Sequence, residues 1–188
     1  MGRDRKKVHE TVRGKKSFVI IVGPTGVGKT AVGHELAKLT GGEIVSADSR
    51  LFYRMMDVGT AKPTPEMRTE VRYHLIDIVN PDEIYTCKRF EHEGREAIED
   101  ILGRGKLPIV VGGSGLYIRA LTRGIFDGPE AQPALRKRLR EEARIKGSHY
   151  LWQRLRDADP KKANQIDPTN TVRIIRALEV YEITGKPM

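Results

Sequence analysis

The hydrophobic pattern of the chain changes period several times, and each change marks an element. Residues 17–22, SFVIIV, are a continuous apolar run rich in β-branched residues, the pattern of a strand buried on both faces. The octet GPTGVGKT (23–30) follows, and TAVGHELAKLT (30–40) then spaces its apolar residues as a helix does. GGEIVSAD (41–48) predicts a turn and a second short strand, and VRYHLIDIV (71–79) a third. YTCKRFEHEGREAIEDILGRG (85–105) has helical period and ends in glycine, as helices often do. KLPIVVGGSG (106–115) is another buried-type strand running into a glycine-rich turn. Strands alternating with helices predict an α/β fold with a parallel sheet.

After residue 125 the strands stop. FDGPEAQP (126–133) is a breaker-rich connection. PALRKRLREEARIKG (133–147), SHYLWQRLRDAD (148–159) and TNTVRIIRALEVYEITG (169–185) then read as successive amphipathic helices, with Trp152 on an apolar face. The expected organisation is a disordered basic arm over 1–16, an α/β core over 17–125, and a helical lobe over 126–188.

Charge sharpens this division. The net charge of +9 is uneven. Residues 1–16 hold seven Lys/Arg against two Asp/Glu, residues 17–118 hold 12 against 14, and residues 119–188 hold 15 against nine. Both flanks of a near-neutral core are therefore basic, which suits either a polyanionic partner or simply solvated helix faces. No run approaches the roughly 20 apolar residues of a membrane span. The charged N-terminus lacks the apolar stretch of a secretory signal. The one cysteine, Cys87, excludes an internal disulfide and fits a reducing compartment, the cytoplasm.

The octet carries chemistry. Gly23, Pro24, Thr25, Gly26, Val27, Gly28, Lys29 and Thr30 satisfy G-x-x-x-x-G-K-[ST], with a strand before and a helix after. Glycines let the backbone curl so that successive N–H groups face phosphate oxygens, and the helix start adds its positive dipole end. Lys29 brings a point charge, and the Thr30 hydroxyl suits Mg²⁺. The loop predicts binding of a di- or triphosphate without saying which. Asp48 follows the second strand, at the carboxyl edge where ligands of open α/β sheets bind. Its carboxylate has three readings: a metal ligand through water, a general base, or a cap for the next helix.

In order along the chain, GPTGVGKT, SADSRLFYRMMDVGTAKPT, VVGGSGLYIRAL and NTVRIIRALEVYEITGKP resemble the tRNA dimethylallyltransferase family, also called tRNA isopentenyltransferases, from about residue 17 to the end. The resemblance implies a P-loop NTPase-like core with a helical insertion lobe. It implies transfer of a dimethylallyl group from dimethylallyl diphosphate, with Mg²⁺, to the exocyclic amine of the adenosine 3′ of the anticodon in tRNA. Residues 23–30 would hold the diphosphate, with Lys29 and Thr30 neutralising it, and Asp48 would take the amine proton. Contacts to tRNA fall on Asp48, Ser49, Arg50 and Leu51, on Ser114, on Arg136, and on Val172, Arg173, Ile174, Ile175 and Arg176. A monomer without membrane association is implied for the full-length protein.

The chain departs from the family pattern at Leu51, where glutamine is common, and at Met55, where glycine is usual. Arg89 stands in place of an aspartate, and Asp167-Pro168-Thr169-Asn170 matches its counterpart only loosely. The chain stops at GKPM, where the family continues through another strand and several helices, so residues 1–188 are expected to be an N-terminal portion. Two alternatives remain: a P-loop small-molecule or nucleotide kinase, for which Asp77 would be a weak strand-end aspartate, and a non-catalytic tRNA-binding remnant.

Overall fold

The structure is a computed structural model that describes residues 17–188; the expected basic arm, 1–16, lies outside them. The chain divides into two compact units, one ending at Ile125 and one spanning Phe126–Met188.

The first unit is built on four parallel strands, β1 (Val19–Val22), β2 (Glu43–Ser46), β3 (Tyr73–His74) and β4 (Pro108–Gly112), in the order β1-β4-β2-β3. Helix α1 (Lys29–Thr40) runs between left-handed Gly28 and Gly41. Side chains alternate along β2, so neighbours go to opposite layers. Ile44 packs with Ile109, Val111 and Ala37 of α1. Val45 and Ala47 pack with Val110, Phe52, Phe90 and Tyr117. That second layer is supplied by α3 (Cys87–Gly103) and α4 (Gly115–Arg123). Its centre is aromatic: Phe52 lies 4.5 Å from Tyr85 and 5.4 Å from Tyr117, ring centre to ring centre. The expected α/β core with a parallel sheet is observed.

Three local expectations are corrected. The run 17–22 is not buried on both faces: β1 stands at an edge of the sheet and Val22 is 59% exposed. The third strand shrinks to two residues, because Leu75 and Asp77 take positive φ (59° and 56°), which extended pairing does not tolerate. A short helix that hydrophobic period did not announce, α2 (Pro65–Glu70), starts on Thr64, whose hydroxyl accepts from Met67 N at 3.3 Å, with Pro65 at its first turn.

The second unit is helical: α5 (Pro133–Lys146), α6 (Ser148–Ala158), α7 (Pro160–Ala163) and α8 (Thr171–Thr184). Leu139, Leu151, Leu155, Ile174, Ile175 and Leu178 form its core. Trp152 is half-buried at its margin and donates to the carbonyls of Ala163 and Ile166, each at 3.1 Å.

Candidate active site

A pocket of about 900 Å³ opens at the carboxyl edge of the sheet in the first unit. The phosphate loop forms one wall through Gly23, Pro24, Thr25, Gly26, Gly28, Lys29 and Thr30. Gly26 and Gly28 adopt φ of 86° and 84°, values a side chain resists. Lys29 Nζ donates to the Pro24 carbonyl at 2.6 Å, so the ammonium is folded over its own loop.

The opposite wall is β2 and the turn after it. Ile44, Ser46 and Asp48 all line the pocket, as the two-residue period requires. Asp48 Oδ1 accepts from Arg50 N at 2.9 Å and closes a turn; no helix begins there, so the aspartate caps a turn rather than the expected helix. The bond occupies one oxygen. Oδ2 has no hydrogen-bond partner among the described residues, and the carboxylate faces the same pocket as the loop. Ser49, Arg50 and Leu51 also line it. Between the walls β4 ends in Gly112-Gly113-Ser114. A Cβ on Gly112 would sit 2.2 Å from the Ala47 carbonyl oxygen, so only glycine lets the strand ends converge here.

The third wall is Gly59–Pro63 with Met67, Tyr73 and Ile76. Lys62 fixes it. Its side chain is 5% exposed, and Nζ donates to Tyr53 O at 2.8 Å, Asp57 Oδ1 at 2.8 Å and Asp77 Oδ1 at 2.6 Å. Arg68 holds the other Asp77 oxygen at 2.7 Å. Burial pushes the Asp77 carboxyl up, but Lys62 and Arg68 outweigh it and hold it below the usual range. Asp77 is thus spent on structure and does not line the pocket, which removes the strand-end aspartate a kinase would have used. Behind Tyr73, buried His34 accepts or donates through Nδ1 to the tyrosine hydroxyl (3.0 Å) and through Nε2 to Glu70 (3.0 Å). Burial first of all pushes Tyr73 up to about 12.

Of the residues expected at the site, the structure gathers the phosphate loop except Val27, together with Asp48, Ser49, Arg50, Leu51 and Ser114. Arg136, Val172, Arg173, Ile174, Ile175 and Arg176 belong to the second unit. There Ile174 and Ile175 spend their side chains on the core, whereas Val172 and Arg173 are exposed. Arg136 donates to Glu179 through Nε (2.8 Å) and Nη2 (2.7 Å), and Arg176 through Nη1 (2.6 Å). The departure at Arg89 is absorbed locally: it bonds Glu93 at 2.7 Å, lies over the Tyr85 ring, and does not line the pocket. Sequence reasoning assigned no part to Ser46, Lys62 or Tyr73. The alternation Ile44, Ser46, Asp48 was the signal available for the first.

No three His, Cys, Asp or Glu side chains converge among the described residues. A divalent cation here would therefore take the Thr30 hydroxyl, phosphate oxygens and water, the donor set Mg²⁺ prefers. The residues fit such an ion.

The sequence model of the family described as IPP transferase matches residues 51–188. The chain belongs to that family. Among IPP transferase relatives, the tRNA dimethylallyltransferase of Syntrophobacter fumaroxidans is 51% identical over 170 residues, 90% of this chain and 50% of that protein. The tRNA dimethylallyltransferase of Thermotoga maritima is also 51% identical over 170 residues, covering 90% of this chain and 55% of the relative. This IPP transferase chain thus spans about half the length of the curated relatives it matches. Among solved structures, the full-length tRNA isopentenylpyrophosphate transferase of Bacillus halodurans superposes with a TM-score of 0.59 at 42% identity, covering 92% of this chain and 57% of that one. A eukaryotic dimethylallyltransferase acting on tRNA gives 0.77 at 32% identity, covering 92% and 43%.

Proposed function

We propose that the protein transfers a dimethylallyl group from dimethylallyl diphosphate to the exocyclic amine of the adenosine 3′ of the anticodon in tRNA, in the cytoplasm. The observation that carries this reading is that Asp48 and the phosphate loop line one pocket. The loop N–H groups and the start of α1 receive the diphosphate, and Lys29 exchanges the Pro24 carbonyl for a phosphate oxygen. Mg²⁺, when bound at Thr30, supplies charge neutralisation for the departing diphosphate. As the C1–O bond to the diphosphate breaks and the N–C bond forms, Asp48 Oδ2 accepts the proton the amine must lose. An adenine amine is a weak nucleophile, and a carboxylate at hydrogen-bond distance raises its electron density as the new bond forms. The base has to leave its stack to reach Asp48. In the second unit, exposed Arg173 is suited to RNA phosphates, while Arg136 and Arg176 are engaged by Glu179.

The test uses radiolabelled dimethylallyl diphosphate, Mg²⁺ and an anticodon hairpin with an A-rich loop, with Asp48→Ala in parallel. Label appearing in RNA with the intact chain and falling by about 10²–10⁴-fold in the variant supports the proposal. Equal labelling by the variant, or ATP hydrolysis in place of transfer, overturns it.

A further inference from the structure

Ser46 sits in the pocket wall with an unused hydroxyl. It is the last residue of β2, 2% exposed, on the pocket-facing side between Ile44 and Asp48. Its Oγ is buried and has no hydrogen-bond partner among the described residues. Another such atom among the described residues, Glu91 Oε2, at least has the Lys88 ammonium 3.7 Å away. The strand neighbour of Ser46 is Val111, which offers it no polar atom in its side chain. A buried hydroxyl left unpaired is destabilising, and buried polar groups in native proteins are overwhelmingly paired. A hydrophobic or alanine side chain would suit the apolar wall of Ile44 and Val111 better, unless the bound state uses the hydroxyl.

We propose that Ser46 is a ligand-binding residue whose hydroxyl hydrogen-bonds the diphosphate–magnesium assembly held by the phosphate loop. Thr30, the loop's hydroxyl residue, lines the same pocket, so the assembly and Ser46 share one space. Serine has a single side-chain rotor, and one staggered step about χ1 re-aims Oγ without moving the strand. The partner is either a phosphate oxygen, to which the hydroxyl donates, or a water in the metal's shell, which donates to the hydroxyl oxygen because the ion holds the water's own lone pair. This inference rests on the diphosphate reading of the loop.

The experiment measures inorganic pyrophosphate binding by calorimetry, and the melting temperature of the free protein, for the unaltered chain, Ser46→Ala and Lys29→Ala. Binding is measured once with Mg²⁺ and once with EDTA. Ser46→Ala is expected to raise the melting temperature of the free protein by roughly 2–6 °C, because an orphaned hydroxyl is removed. The same variant is expected to weaken pyrophosphate binding about tenfold. Loss in both media identifies a phosphate oxygen as the acceptor; loss with Mg²⁺ alone identifies a metal-bound water. Unchanged affinity, or a lower melting temperature, overturns the role of Ser46 while leaving the loop reading intact. If the unaltered chain binds no pyrophosphate, or Lys29→Ala binds it equally well, the loop reading itself falls.

Discussion

Lys62→Met is the substitution that tests how the pocket keeps its third wall. Methionine matches the length and volume of the lysine stem, so packing is nearly conserved and the polar contacts are what is lost. Three bonds disappear: to Tyr53 O, Asp57 and Asp77. They are not equal. Asp57 is 71% exposed, and its ion pair contributes under about 1 kcal/mol. Asp77 is 30% exposed and keeps Arg68, so it is not stranded, but its pairing with a 5%-exposed ammonium is worth more than a surface contact. The Tyr53 carbonyl loses a donor in a part-buried site, at about 1–3 kcal/mol. Together these give a loss of about 2–4 kcal/mol, below the 3–5 expected when a fully buried partner is removed. The loss falls on a segment already holding positive φ at Ala61 and Asp77, conformations that need surrounding contacts to persist. Urea titration is followed by tyrosine near-UV dichroism, to which Tyr53, Tyr73, Tyr85 and Tyr117 of the first unit and Tyr150 and Tyr181 of the second contribute, and by Trp152 fluorescence, which reports on the second alone, so a change in dichroism without one in fluorescence belongs to the first unit. The first signal is expected to shift to lower urea and the second to stay. A first-unit shift of less than about 1 kcal/mol would refute the reasoning, since the bonds would then be ornamental.

Two further predictions concern other parts of the chain. Burial pushes the Glu179 carboxyl up, but the hydrogen bonds from Arg136 and Arg176 prevail and bring it down to about 2. Its folded pKa lies below the unfolded value near 4.3, so its contribution is present above that value and is lost as pH falls toward 2. Trp152 fluorescence should therefore show an acid transition in that window for the second unit, shifted or absent in Glu179→Gln; identical acid profiles would count against it. Met55 holds φ of 58° while 79% exposed, so Met55→Gly relieves left-handed strain of about 1–2 kcal/mol against a glycine entropy cost of about 0.5–1. A net gain of up to about 1 kcal/mol should appear in chemical denaturation; a loss would mean the side chain is doing more than its exposure suggests.

The departures from the family pattern illustrate how a sequence difference acquires meaning only through its neighbours. Arg89 reverses a charge, yet Glu93 one helical turn on and the Tyr85 ring absorb it at the surface. Met55 stands where the family pattern has glycine, and its backbone keeps a conformation that favours glycine. Arg136 and Arg176 are expected as tRNA contacts, yet a fully buried carboxylate holds both. In each case the deciding atom lies in another part of the fold or in the backbone torsion.

By itself the sequence determined the features that depend on local spacing. Short apolar runs bounded by turn residues located β2 and β4, and the 3.6-residue period located α1 and α3, because side-chain direction follows the covalent chain. The phosphate loop was legible because its chemistry requires particular residues at particular intervals, and the placement of Asp48 after a strand was legible for the same reason. Only the tertiary structure decided which strand lies beside which. SFVIIV has the composition of a central strand but takes an edge, since lateral order depends on what else covers the sheet. The shrinking of the third strand, the grip of Lys62 on Asp77 and the unpaired hydroxyl of Ser46 likewise depend on residues distant in sequence. Hydrogen-bond satisfaction and burial are properties of the whole packed chain, and no window of neighbouring residues contains them.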